Sequence, residues 1–253
     1  MNNYSKNEIR VRSSIDGGLE PSLFFKAEGD EPRPLLVGLH TWSYDRFNQV
    51  GKMLPYAKKN NFHLLLPEFR GSNKADNPRC REACGSRLAV QDIYDAIEYV
   101  RKNYAVDEKN ILLLGASGGG HMSLRTAAEN PTLFRAVGSF VPITDLALWA
   151  KENENYADSV RACCSSEEEM NERSPIYYAE ELSRANLKIF HGKFDPVVPY
   201  THSVNIYLKI MERRPDARVF LDVFDGGHEM RMDDAMRWLL SQLESVDTET
   251  VTG

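Results

Sequence analysis

The sequence predicts one α/β domain whose central sheet is mostly parallel and flanked by helices. Short, continuous apolar runs recur along the chain, which is typical of strands covered on both faces. Segments with helical periodicity alternate with these runs from about residue 35 to the end, which is the order that builds a parallel sheet. The length of 253 residues and the lack of any repeat or low-complexity linker favour a single domain over residues 1–253, with its core at about 33–243.

Six apolar runs are predicted to be strands of this sheet. They cover residues 35–39, 63–66, 111–114, 136–141, 187–191 and 218–224. Three intervening segments place their apolar residues on one helical face, and these are residues 93–100, 204–211 and 236–243.

One segment, residues 145–182, breaks the alternation. It separates two predicted strands by far more chain than a crossover helix requires, and it contains Trp149, Tyr177 and two adjacent cysteines. We expect a helical insertion here, and long insertions in compact domains often act as lids over a site. A surface excursion without a role is the alternative.

The charge and hydropathy of the chain exclude several classes of partner. Lys and Arg number 31 and Asp and Glu number 37, so the formal net charge is −6. An acidic chain without a long basic run has no general attraction to nucleic acid or to an anionic membrane. No apolar stretch approaches the roughly 18 residues of a membrane span. The polar first twenty residues lack the apolar core of a secretion signal, which predicts a cytoplasmic protein, or a secreted one if a signal was removed.

Cysteine usage predicts free thiols. The four residues Cys80, Cys84, Cys163 and Cys164 are few for this length, and their spacing matches no zinc pattern. A disulfide between the 80/84 pair and the 163/164 pair stays open and would indicate an oxidising compartment. No metal site and no cofactor are expected.

The strongest chemical signal is the motif Gly115-Ala116-Ser117-Gly118-Gly119. It directly follows the predicted strand 111–114 and precedes a helical stretch from His121. Small residues around Ser117 permit a sharp strand-to-helix turn that holds its hydroxyl above the sheet, so Ser117 is the predicted nucleophile. A phosphate-binding loop is excluded because no Lys-Ser or Lys-Thr follows the glycines.

A serine nucleophile requires a base and an orienting carboxylate, in the chain order Ser, Asp or Glu, His for this kind of turn. His228 lies in a glycine-rich loop after the last predicted strand and is the predicted base. Asp195 begins a proline-stiffened turn just past a strand, at the sheet edge where α/β proteins place their sites, and is the predicted acid. Asp145 is the alternative acid, whereas His191, at the end of a strand, is expected to pack in the core.

The oxyanion of an acyl-transfer reaction needs two hydrogen-bond donors. The backbone N–H of Gly118 is the first predicted donor. The second is expected from the turn after the first core strand, with the N–H of Trp42 preferred and Thr41 as the alternative. His40 in the same turn is expected to be a structural hydrogen-bonding residue.

Four further residues are candidates for contact with substrate. Arg70, after the strand at 63–66, is a candidate for binding a substrate carboxylate or sugar hydroxyls, although membership of a structural ion pair is the alternative. Tyr44, Trp149 and Tyr177 are candidates for lining an acyl or sugar pocket, and core positions are their alternative.

These segments together resemble the α/β-hydrolase superfamily, and more narrowly the catalytic domain of prolyl oligopeptidase-like serine hydrolases and related esterases. The matching segments are residues 69–72, 115–120, 173–176, 191–199 and 226–228. The resemblance covers about residues 33–243. It implies Ser117 as nucleophile, Asp195 as acid and His228 as base.

Two departures from that family shape the expected activity. Oligopeptidases of the family carry a large extra domain, usually a β-propeller, whereas only about thirty residues precede the first predicted strand here. This shifts the expectation from peptidase to esterase. The family usually has Gly after the His of its oxyanion turn, and this chain has Thr41.

The sequence therefore predicts a serine carboxylic-ester hydrolase that forms an acyl-enzyme. Its expected substrates are small molecules, namely short-chain, carbohydrate or aromatic esters of the kind that acetyl- or feruloyl-esterases use. The alternative is a small prolyl oligopeptidase-like peptidase or aminoacyl hydrolase, with Arg70 anchoring a charged terminus. A non-catalytic binding module is disfavoured because all three triad residue types are present. The oligomeric state is open, and a homo-oligomer is compatible with the sequence.

Overall fold

A single eight-stranded sheet organises the computed structural model, which describes residues 6–243. Its strands are β1 (Lys6–Arg12), β2 (Leu19–Phe25), β3 (Arg33–Leu39), β4 (His63–Pro67), β5 (Val106–Ala116), β6 (Ala136–Phe140), β7 (Leu187–Gly192) and β8 (Val219–Phe224). They lie in the order β1-β2-β4-β3-β5-β6-β7-β8. The pairs from β4 to β8 are parallel, and β1 and β2 are antiparallel. The ends of the predicted domain, residues 1–5 and 244–253, lie outside the described residues.

All six predicted strands are present, and β5 begins at Val106 rather than at residue 111. The hairpin of β1 and β2 was missed. In β1 only Ile9 and Val11 are buried, and they alternate with exposed or half-buried polar residues. Such a strand at the sheet edge buries one face only, so it lacks the continuous apolar run that marks a parallel strand.

The helices of the described part cover both faces of the sheet and the edge above it. They are α1 (Val50–Asn60), α2 (Arg87–Asn103), α3 (Gly118–Glu129), α4 (Leu146–Glu152), α5 (Glu154–Cys163), α6 (Glu167–Arg173), α7 (Ala179–Leu182), α8 (Thr201–Arg213) and α9 (Met232–Ser241), with 3₁₀ turns at Cys80–Glu82 and Pro175–Tyr178. The predicted helices lie within α2, α8 and α9, although α9 ends at Ser241 and not at residue 243. None of the described helices is long and apolar enough to cross a membrane.

Two apolar cores lie on opposite faces of the sheet. Leu35, Val37 and Leu113 pack with α2, α3 and α8, whereas Leu36 and Leu112 pack with α1 and α9. Successive residues of β3 and β5 therefore enter opposite cores, as the two-residue period of a strand requires. Burial on both faces gives these strands continuous apolar runs, which is why the sequence predicted them most clearly.

The predicted insertion forms a third apolar cluster above the sheet. Helices α4 to α7 occupy the connection between β6 and β7, and Trp149 and Val160 from this segment pack with Trp42, Cys84 and Val198. The last three residues follow the carboxyl ends of β3, β4 and β7. The insertion thus rests on the loops at the sheet edge where α/β proteins place their sites.

Candidate active site

Ser117 occupies a one-residue turn between β5 and α3. Its φ is +57° and its ψ is −120°, and its N–H donates to the carbonyl of Phe140 at 2.9 Å. A positive φ is uncommon and strained in a residue with a Cβ, and such strain clusters at functional sites. The strand-to-helix turn leaves Ser117 half-buried rather than enclosed.

The loop that carries His228 lies directly against the end of β7. A Cβ on Gly192 would lie 2.1 Å from the carbonyl oxygen of Gly227, so only glycine permits this approach. The N–H of Phe194 also donates to Gly226 at 2.9 Å. The two loops are thereby joined, and His228 Nδ1 lies 2.7 Å from Asp195 Oδ2.

The carboxylate of Asp195 is held from several directions. Its Oδ1 accepts hydrogen bonds from the N–H groups of Val197 at 2.8 Å and Val198 at 3.0 Å. Burial raises the pKa of Asp195, but hydrogen bonds from His191, from His228 and from the two amides outweigh burial. The pKa therefore lies well below its usual range, and Asp195 is ionised at neutral pH.

His191 is buried, as expected, but it also contacts the predicted acid, which the sequence reasoning missed. Its Nε2 lies 2.9 Å from the Val198 carbonyl and 3.3 Å from Asp195 Oδ2, and its Nδ1 lies 2.7 Å from the Ser203 hydroxyl. The sequence feature that indicates this contact is the four-residue spacing between His191 and Asp195 across a tight turn.

The alternative acid and a nearby histidine have other partners. Asp145 caps the N-terminus of α4, where its Oδ1 accepts a hydrogen bond from the N–H of Leu148 at 2.9 Å. His121 on α3 is buried, and its Nδ1 lies 2.9 Å from the carbonyl of Ile143. Burial lowers the pKa of His121 to about 3, so its imidazole is neutral.

The two predicted backbone donors in the turn after β3, Thr41 and Trp42, have different surroundings. The N–H of Thr41 donates to Asn48 Oδ1 at 3.2 Å. This amide is therefore not available to an oxyanion, which corrects the alternative prediction of Thr41 as the backbone donor. The backbone N of Trp42 lies beside Gly118, where an added Cβ would come within 2.6 Å of it. The N–H of Gly118 meets the Thr41 hydroxyl oxygen at 3.3 Å. The Thr41 hydroxyl therefore lies beside the first predicted oxyanion donor.

Arg70 does not reach a substrate, which corrects its prediction as a binding residue. It is 3% exposed, and its guanidinium pairs with Asp92. It also contacts Asp16 at 2.6 Å and Glu82 at 2.9 Å. With its donors committed to carboxylates, Arg70 is a structural residue that joins the N-terminal hairpin to α2.

The three aromatic candidates lie in different environments. Trp149 is 2% exposed and its indole N–H donates to the Val197 carbonyl at 2.9 Å, so its prediction as a pocket-lining residue is also corrected. Tyr44 is exposed beside a cleft of about 420 Å³ that Ser43 and Glu68 also line. Tyr177 is exposed, and Lys209 lies over its ring.

The cysteines and other metal-ligand residues form no metal site in the described part of the chain. All four cysteines are free thiols, and three of them are buried. The thiol of Cys84 lies within hydrogen-bonding reach of Cys163 and Cys164, and burial raises its pKa well above the usual value.

The parallel sheet, the strand–turn–helix serine and the histidine–carboxylate pair define the class of α/β-hydrolase serine hydrolases. Within that class, residues 49–245 match the prolyl oligopeptidase family, and the chain belongs to this family.

One curated relative is similar in sequence to this chain, and two solved structures share its fold. The chain is 24% identical over 202 residues to the acylamino-acid-releasing enzyme of Rattus norvegicus, covering 74% of this chain and 28% of the relative. Among solved structures, Pyrococcus horikoshii acylaminoacyl peptidase superposes with a TM-score of 0.78 at 18% identity, over 98% of this chain and 43% of that one. The serine hydrolase FphF of Staphylococcus aureus gives 0.73 at 15% identity, over 96% and 100%.

These comparisons overturn the prediction of a carboxylesterase acting on carbohydrate or aromatic esters. The family that matches and the similarity to the acylamino-acid-releasing enzymes favour the peptidase alternative. The esterase prediction depended on how little chain precedes β3. That argument has no force, because the chain spans under a third of the length of the acylamino-acid-releasing enzymes it matches.

Proposed function

We propose that this chain is the catalytic unit of a serine peptidase that hydrolyses the amide bond after an N-acylated amino acid. The observation that carries the proposal is the 2.7 Å contact between His228 Nδ1 and Asp195 Oδ2, within a chain of the prolyl oligopeptidase family. The names of the curated relatives, acylamino-acid-releasing enzymes, support the substrate class.

In the proposed mechanism, the ionised Asp195 accepts the Nδ1–H of His228. This keeps the imidazole in the tautomer whose Nε2 carries a free lone pair. That nitrogen takes the proton of Ser117 as the hydroxyl attacks the scissile carbonyl. Because Asp195 is already ionised at neutral pH, it stabilises the imidazolium that forms without itself taking the proton.

The negative charge on the tetrahedral intermediate is stabilised by the backbone N–H groups of Gly118 and Trp42. His228 then gives its proton to the leaving amine, and the acyl group stays on Ser117. A water molecule attacks the acyl-enzyme with His228 again acting as base, which releases the N-acyl amino acid.

The experiment compares wild type with Ser117→Ala on acetyl-alanyl p-nitroanilide and on the same anilide with a free amine. Ser183→Ala is the matched control, since Ser183 follows α7 and its hydroxyl donates to the Glu180 carbonyl. We expect hydrolysis of the acetylated substrate by wild type and control, and a loss of at least about 10³-fold in kcat for Ser117→Ala.

Two results contradict separate parts of this proposal. An unchanged rate in Ser117→Ala means that Ser117 is not the nucleophile. Hydrolysis of the free-amine anilide alone, still dependent on Ser117, retains the mechanism and rejects the N-acylated substrate class.

A further inference from the structure

The carbonyl of Val197 accepts two side-chain hydrogen bonds from the insertion. Trp149 Nε1 and Asn153 Nδ2 each lie 2.9 Å from this oxygen. Trp149 belongs to α4 and Asn153 directly follows this helix. A carbonyl oxygen has two lone pairs, so these two donors satisfy it fully.

The same peptide group contacts the predicted acid with its other end. The carbonyl of Val197 and the N–H of Val198 belong to one peptide unit, and that N–H donates to Asp195 Oδ1 at 3.0 Å. Donors at a carbonyl polarise the peptide and strengthen its N–H as a donor. A continuous set of hydrogen bonds thus leads from α4, through this peptide and Asp195, to His228.

The C-terminal end of α4, where Asn153 lies, has a further contact. Glu152 Oε2 lies 3.0 Å from Nε2 of the buried His202, at the start of α8. The ring of Trp149 packs edge-on against Trp42, with centroids 5.6 Å apart. The two donors on Val197 are therefore carried by a helix that is held at its C-terminal end and through the ring of Trp149.

We propose that Trp149 and Asn153 are positioning residues for the catalytic acid. They fix the Val197–Val198 peptide in the orientation that holds the Asp195 carboxylate toward His228. This inference rests on the proposed role of Asp195. It makes α4 part of the catalytic scaffold, whereas a lid role for the insertion as a whole stays a prediction.

The test removes each donor and keeps the surrounding packing. Trp149→Phe keeps an aromatic ring against Trp42 and loses the indole N–H, and Asn153→Ala loses the amide. Trp238→Phe is the matched control, because this third tryptophan lies on α9 and packs against Phe190. For each variant, kcat and KM are measured, and the downfield proton resonance of the His228 imidazole N–H is recorded by NMR.

We expect kcat to fall about tenfold for each donor removed, the effect of losing one good hydrogen bond, with KM within about twofold of wild type. The His228 N–H resonance should move upfield or broaden in both variants, and neither change should occur in Trp238→Phe. A general loss of structure would instead lower the fraction of active enzyme, and would leave kcat per titrated site unchanged. If Trp149→Phe fails to fold, Asn153→Ala provides the same two readouts.

Unchanged kcat and an unchanged resonance in both variants would overturn the inference. The NMR measurement does not depend on turnover, so it separates this inference from the proposed function. A protein without Ser117-dependent hydrolysis whose resonance still moves in the variants would reject the peptidase proposal and retain the positioning role.

Discussion

His191 Nε2 lies 3.3 Å from Oδ2 of Asp195, the same oxygen that His228 Nδ1 contacts at 2.7 Å. His191 is fully buried at the end of β7, and its Nδ1 faces the hydroxyl of Ser203. Because the Ser203 hydroxyl can donate to Nδ1, the N–H at Nε2 is shared between the Val198 carbonyl at 2.9 Å and Asp195, so the buried carboxylate receives a second N–H donor. The proposed role of Asp195 depends on this arrangement, because its carboxylate must stay ionised and oriented to act on His228.

Replacement of His191 should lower catalysis through Asp195. We expect His191→Leu to reduce kcat by about tenfold or more, since a buried carboxylate loses a donor. His191→Gln places an amide N–H near the position of Nε2 and should recover most of the loss. Both variants are compared by steady-state kinetics after their stability to urea is measured. Equal activity of the Leu and Gln variants would show that this hydrogen bond does not matter.

Thr41 should act through its hydroxyl and not through its amide. In the resting site its Oγ1 accepts the Gly118 N–H at 3.3 Å, while its own N–H is held by Asn48. An oxyanion would take the Gly118 N–H, and the hydroxyl hydrogen is then able to donate to the same oxyanion. We expect Thr41→Val to lower kcat at least tenfold and Thr41→Ser to stay near wild type, measured on the same anilide. A higher kcat/KM in Thr41→Val would mean that the hydroxyl merely blocks the site.

The parts of the proposed site that were simplest to predict from the sequence are those encoded locally. The turn at Ser117 follows from five consecutive small residues, 115–119, which end β5 and begin α3. Asp195 and His228 were predicted because each directly follows an apolar strand, and the sheet brings the two residues into contact at 2.7 Å. Burial on both faces made these strands visible, so the fold and the candidate triad came from the same signal.

The misjudged residues are those whose partners are distant in the chain. Arg70 has acidic partners in three separate segments, and a single sequence does not tell such a residue from a binding arginine. Trp149 is paired with a carbonyl 48 residues away, so its burial was equally hidden. The prediction of an ester substrate was wrong for another reason. One fold supports many reactions, and the residues near Ser117 do not show whether the substrate is an ester or an amide.

Arg70 should matter for stability and not for substrate affinity. Removal of the guanidinium leaves the nearly buried Asp92 without its partner, which typically costs about 3–5 kcal/mol in the free energy of unfolding. We expect a loss of that size for Arg70→Met in urea unfolding, with KM of the folded enzyme unchanged. Arg237→Met is the control, since the guanidinium of Arg237 is exposed and its pair with Asp234 should contribute under about 1 kcal/mol. A raised KM with unchanged stability would restore the substrate-binding role.

His121 should make the protein less stable as the pH falls below neutral. Burial lowers its pKa to about 3 in the folded protein, aided by the nearby Arg125 and Arg173, whereas an unfolded histidine titrates near about 6.5. Between these values only the unfolded chain binds the proton, so the free energy of unfolding decreases by up to about 1.4 kcal/mol for each pH unit.

The measurement is urea unfolding of wild type and His121→Asn at pH 7.5 and pH 5. The asparagine amide can still donate to the Ile143 carbonyl, but it does not titrate. Burial also lowers the pKa of His63 and His202, and their contributions cancel because both proteins contain them. Wild type should therefore lose about 2 kcal/mol more than the variant between the two pH values. Equal losses would mean that His121 can take up a proton in the folded state, through an opening of the packing between α3 and the insertion.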